Sequence, residues 1–120
     1  MSTQNLVQYI IVRTDLKASL SWSVGSIIAQ ACHASTAALY KYNEVEDTKA
    51  YVSDLDNMTK VILGVPGEVQ LAKLAEKLEN NNIEFVLWCE KPENILTAIA
   101  LRPYNRKMVK KHLSECQLFT

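Results

Sequence analysis

The chain has 120 residues, enough for one domain with its own core and too few for a second. With 48% hydrophobic and 22% charged residues, three Gly and three Pro, it is neither disordered, collagen-like nor a disulfide scaffold. Thirteen Lys plus Arg balance thirteen Asp plus Glu, so no net field draws in nucleic acid or an anionic membrane, and any such partner must meet a local patch.

In chain order, the opening "MSTQNLVQYIIVRTDL" lacks a basic region followed by an apolar segment and a cleavage site, so no secretory signal is expected. Within it "LVQYIIVR", Leu6 to Arg13, is almost continuously apolar and β-branched and predicts a central strand buried on both faces. From Ala18 to Tyr40 there is no Asp, Glu, Lys or Arg. That run is long enough to span a bilayer, but its serines, Thr36, Gln30 and His33 are too polar for hydrocarbon, so no membrane partner is expected. An acidic segment, Glu44 to Asn57, predicts a short helix, and "TKVILGV" a second strand. "PGEVQLAKLAEKLENNN" places Leu71, Leu74, Ala75 and Leu78 on one face, an amphipathic helix. "IEFVLWC" and "ILTAIALRP" predict a third and a fourth strand, antiparallel across the connection "KPEN", and "YNRKMVKKHL" a closing helix. The expectation is a single α/β domain over residues 1–120, three-layer α/β/α with a mixed four-stranded sheet, in the order β-α-(α)-β-α-β-β-α.

Cys32, Cys89 and Cys116 are odd in number, widely spaced and without Cys-x-x-Cys, which argues against disulfides and zinc and points to a reducing, cytoplasmic setting. Cys32 and His33 are adjacent on a helix and point about 100° apart, so a thiol–imidazole nucleophile is rejected.

The stretch "VGSIIAQACHASTAALY", Val24 to Tyr40, carries the functional question. Steps of about 100° put Val24, Ile27, Ile28, Ala31, Cys32, Ser35, Ala38, Leu39 and Tyr42 on a broad arc expected to face the sheet. Ser26, Gln30, His33 and Ala37 form a narrow opposite stripe. Small polar groups there, in place of Lys and Glu, imply that the stripe is covered by the same chain, a second subunit (a homodimer) or a ligand. The plain reading of Gln30 and His33 is a pair of polar groups satisfied by nearby carbonyls.

Four segments, "VRTDL", "GSIIAQACHA", "VPGEVQLAKLAEKL" and "TAIALRP", resemble the type-two peptidyl-tRNA hydrolase family, and within it the eukaryotic peptidyl-tRNA hydrolase domain-containing subgroup. The resemblance runs from about Val7 to Phe119. It implies a mixed four-stranded sheet flanked by helices, often dimeric, cleavage of the ester between a peptide and the 3′-ribose of tRNA, and no metal or cofactor. Ester hydrolysis of this kind needs a group to orient or deprotonate water, donors for the oxyanion and a surface for the tRNA end. In the family these come from a lysine after the glycine that opens the first helix, an aspartate ending the third strand, and threonines in the next loop and strand. Here the glycine is Gly25 and the lysine position is Ser26. The aspartate position is Glu90, the loop threonine falls near Glu93 or Asn94, and the strand threonine is retained as Thr97. The resemblance therefore implies Glu90, Thr97 and Ser26 as catalytic, and Gly25, Gln30, His33, Arg13 and Asp15 as substrate-binding.

Arg102, Arg106, Lys107, Lys110 and Lys111 have no acid among them or after them until Glu115, a candidate patch for tRNA phosphates. A solvated helix with basic residues near its C-terminal end gives the same pattern, and His112 reads as a surface residue. Two functions stay open on these residues: a peptidyl-tRNA hydrolase that recycles tRNA in translation, and, because the lysine is missing, a catalytically impaired member that binds tRNA or a protein.

Overall fold

In the computed structural model, which describes residues 5–120, strand β1 (Leu6–Arg13) is buried at all eight positions. The first four residues, with the start of the segment in which no secretory signal is expected, lie outside the described residues. Alternate β1 side chains feed two cores. Val7, Tyr9 and Ile11 pack with Leu71, Leu74, Ala75 and Leu78, whereas Ile10 and Val12 pack with Ile27, Ala34 and Ala38. These two helical sets lie on α4 (Glu68–Asn80) and α2 (Val24–Lys41), so one helix covers each face of the sheet.

The expected strands are present: β2 (Lys60–Val65) runs parallel to β1, while β4 (Ile95–Leu101) is antiparallel both to β1 and to β3 (Phe85–Glu90). The sheet is nevertheless six-stranded, correcting the expected four. Tyr104–Asn105, assigned by sequence to the closing helix, forms β5 and pairs with Val7 and Leu6; Gln117–Leu118 forms β6 on the edge of β2. Two-residue strands have no periodicity to read, because they are created by a distant partner. The closing helix shortens accordingly to α5 (Arg106–Val109), continued as a 3₁₀ turn to Leu113.

A short helix, α1 (Asp15–Ala18), follows β1, and the acidic segment contains the expected one, α3 (Glu46–Ser53). In β2, a Cβ on Gly64 would lie 2.7 Å from the Thr14 methyl, so glycine lets the loop after β1 close against this strand. Among the described residues no helix is long and apolar enough to cross a membrane.

The roll of α2 about its axis differs from the amphipathic expectation. Its buried positions are Ile27, Gln30, Ala34, Ser35 and Ala38, while Val24 and Ile28 are more than half exposed and Cys32 is exposed. The sheet beneath carries two buried polar side chains, Gln8 and Thr97, that need partners. Gln30 and Ser35 supply them, and Ala34 and Ala38 allow close approach over Ala98 and Ala100.

Candidate active site

Ser23 caps α2, its hydroxyl accepting from Ser26 N at 3.1 Å and donating to Ser26 Oγ at 2.9 Å. Ser26 is thus exposed at the helix entrance with its own hydroxyl proton available. A Cβ on Gly25 would meet nothing nearer than Ser23 Oγ at 4.0 Å, so packing within the chain does not require glycine there.

One turn further, Gln30 is 1% exposed and fully engaged. Its Nε2 donates to Ser26 O at 3.3 Å and its Oε1 accepts from the Thr97 hydroxyl at 2.8 Å. Thr97 is itself completely buried, so its hydroxyl proton points into the protein.

Glu90 ends β3 beside this pair. Its Oε1 accepts from the Trp88 indole N–H at 3.2 Å. Chiefly this bond, then a hydrogen bond from Gln30, hold the Glu90 carboxyl below its ordinary pKa; desolvation opposes them and the charge of the nearby His33 assists least. His33, exposed on α2, stacks on Trp88 with ring centroids 4.9 Å apart and planes 21° from parallel. Of the stripe expected to be covered, only Gln30 is buried, beneath the sheet; Ala37 is partly buried, His33 carries Trp88 on one ring face but stays exposed, and Ser26 is exposed.

Arg13 and Asp15 form a neighbouring anchor. The Arg13 guanidinium, nearly buried, grips Asp15 with two hydrogen bonds of 2.9 and 2.8 Å and donates to Leu96 O at 3.0 Å. Glu68 accepts from Leu96 N at 3.0 Å and lies 3.8 Å from Arg13. The Asp15 bond raises the Arg13 pKa further, with burial opposing and the charges of Asp15 and Glu68 assisting. These groups hold the start of β4, next to Thr97, against β1 and α4, and the guanidinium is turned to them.

The hairpin leaves Glu93 and Asn94 exposed; Asn94, at φ 61°, closes the turn through its N–H to Glu90 O and pairs with Lys91. Lys17 lines a separate cavity with Val24, Ile28 and Phe119. Among the described residues no three His, Cys, Asp or Glu side chains are grouped as metal ligands would be.

The basic residues lie at the opposite end of the sheet. Tyr104 and Asn105 pair with Val7 and Leu6, whereas Arg13 ends β1 at the site, about 20 Å away at ~3.3 Å per residue. Arg102 is occupied, 2.8 Å from Glu84, 3.8 Å from Asp47 and 3.7 Å over the Tyr104 ring. Arg106 donates to Tyr9 Oη at 3.4 Å. Lys107, Lys110 and Lys111 are exposed and rim a cavity floored by Tyr9, Val61 and Leu63.

Sequence reasoning missed Trp88 and Glu68. The signal for Trp88 was its spacing of two from Glu90, which puts alternate strand residues on one face. Glu68 read as an ordinary first-turn acid, and its bond to Leu96 exists only in the folded chain.

A carboxylate held ionised near an imidazole, and linked through Gln30 to the helix turn that carries the Ser26 hydroxyl, is chemistry suited to splitting an ester. The sequence profile of the family Peptidyl-tRNA hydrolase PTH2 matches residues 6–119, and the chain belongs to that family. It is 49% identical over 117 residues to the Homo sapiens protein named "Putative peptidyl-tRNA hydrolase PTRHD1", covering 97% of this chain and 84% of the relative. The Mus musculus protein of the same name is 48% identical over the same shares.

Proposed function

We propose that this protein hydrolyses the ester joining a peptide to the 3′-ribose of tRNA, releasing tRNA for translation in the cytoplasm. Family membership and the names of the two relatives support the substrate class. The observation that carries the reading is Glu90, whose carboxylate is held ionised by Trp88 and Gln30 near His33.

Glu90 orients and deprotonates the attacking water, and the Ser26 hydroxyl and a His33 ring N–H donate to the oxyanion as the ester carbonyl becomes tetrahedral. Collapse of that intermediate breaks the bond to the ribose 3′ oxygen, which takes the proton back from Glu90 and leaves the peptide as its carboxylic acid. Thr97, its proton committed to Gln30, is a positioning residue, and the Arg13–Asp15 pair holds its strand. Gly25 leaves the helix entrance open for the 3′ end. Lys107, Lys110 and Lys111 take phosphates of the tRNA body, well away from the scissile bond.

The test is deacylation of an N-acetyl-aminoacyl-tRNA by the purified chain. Turnover above the buffer blank, lowered by about 10²-fold or more in Glu90→Ala, is expected. Salt-sensitive tRNA binding without turnover would replace hydrolysis by the binding-module reading.

A further inference from the structure

On the flank of α2 away from Trp88 and Glu90, a groove of about 620 Å³ runs between that helix and β2. This lies within the size range of small-molecule sites. Its walls are Ile28, Ala31 and Cys32 of α2 and Ile10 and Ile62 of the sheet. Phe119, whose N–H donates to Ile62 O at 3.0 Å, lies toward one end, and Lys60, two residues before Ile62, toward the other.

The Lys60 ammonium is the charged group of this lining, and it is held in a built cradle. Lys60 as a residue is exposed, but its Nζ donates to Gln8 Oε1 at 2.6 Å and Ser35 Oγ at 2.9 Å and sits 5.5 Å from the Tyr51 ring centroid. Gln8 is 0% and Ser35 6% exposed. Gln8 is fixed in turn by its Nε2, which donates to Ser35 O and Leu101 O, and by the Ser35 hydroxyl. These core groups direct the amine, yet all are neutral, and among the described residues no carboxylate pairs with it. Two of its three donors are taken. Burial lowers the Lys60 pKa, as expected for a partly desolvated cation without a counter-ion.

We propose that this groove binds a small amphipathic carboxylate, with its apolar body against Ile28 and Ile62 and its carboxylate on the Lys60 ammonium. One cation with one remaining donor suits a singly charged head. A phosphate, carrying more charge and three acceptor oxygens, would leave most of them unpaired in an apolar wall. The site is separate from the hydrolytic one, and its occupancy does not depend on that reading.

Calorimetric titration of the whole chain with decanoate and with decan-1-ol tests the proposal. Saturable one-to-one binding of decanoate, at least about tenfold tighter than the alcohol, is expected. Lys60→Met, which keeps most of the apolar stem, should weaken decanoate by about tenfold or more and leave the alcohol unchanged. Bound decanoate should also slow alkylation of Cys32. Equal affinity for acid and alcohol in the parent overturns the proposal, as does Lys60→Met binding decanoate like the parent. Failure of the parent to bind decanoate also overturns it, and protection of Cys32 from alkylation in a sedimenting dimer would then assign the groove to a second copy. If Lys60→Met does not fold, the parent's ratio of acid to alcohol affinity and Cys32 protection decide.

Discussion

Thr97 on β4 donates its hydroxyl proton to Oε1 of Gln30 on α2 at 2.8 Å, with both side chains buried. This bond joins the helix that presents Ser26 and His33 to the strand held by Arg13. Thr97→Val keeps the shape and leaves a buried amide oxygen unpaired. It should cost about 1–3 kcal/mol, read as a lower urea midpoint at unchanged m-value. Thr97→Ser should recover most of the loss.

The bond from Trp88 to Glu90 sets a pH dependence. Because the folded-state pKa of Glu90 is depressed, its carboxylate is charged, and its stabilising contribution is present, above the ordinary carboxyl value of 4.5. That contribution is lost as pH falls through the lower folded value. The acid limb of hydrolysis that depends on ionised Glu90 should therefore have its midpoint below the ordinary carboxyl value. Trp88→Phe keeps a ring against His33 and removes the N–H. The acid limb of the kcat/KM profile should then move up toward the ordinary carboxyl range, and an unmoved limb would count against Glu90 as the base.

Ser26 stands where the family resemblance places a lysine. The cap of α2 uses the Ser26 backbone N–H, so Ser26→Lys should leave the helix intact. A cation at the helix entrance should raise kcat for N-acetyl-aminoacyl-tRNA, by as much as about 10²-fold if the oxyanion lies beside it. An unchanged kcat would place the oxyanion elsewhere.

The basic residues divide into two groups with different expected effects. Lys107→Glu with Lys110→Glu should weaken tRNA binding and reduce the slope of log affinity against log salt by about two. Arg102→Met should leave that slope unchanged and lower stability, because Arg102 is already taken by Glu84, Asp47 and Tyr104. Filter binding across a salt series, beside thermal unfolding, separates the two.

Local patterns decided much of this protein. The apolar run of β1, the periodicity of α4 and the hairpin signal around Lys91 to Asn94 each lie within one short segment and were legible in the sequence. So were Gln30 and His33 as neighbours on one uncharged helix, and Glu90 and Thr97 as residues flanking one hairpin. Tertiary structure alone decided how α2 is rolled, since an apolar arc favours Val24 and Ile28 inward while the buried amide of Gln8 and hydroxyl of Thr97 require Ser35 and Gln30 there. That roll brings His33 onto Trp88 and leaves the groove beside Lys60 open. It likewise decided that β5 and β6 exist and that the lysines of the C-terminal turn stand about 20 Å from Arg13, at ~3.3 Å per strand residue. The physical reason is common to these cases: each depends on a partner far along the chain, and hydrophobic periodicity records only which residues prefer burial, not which polar groups they must satisfy once buried.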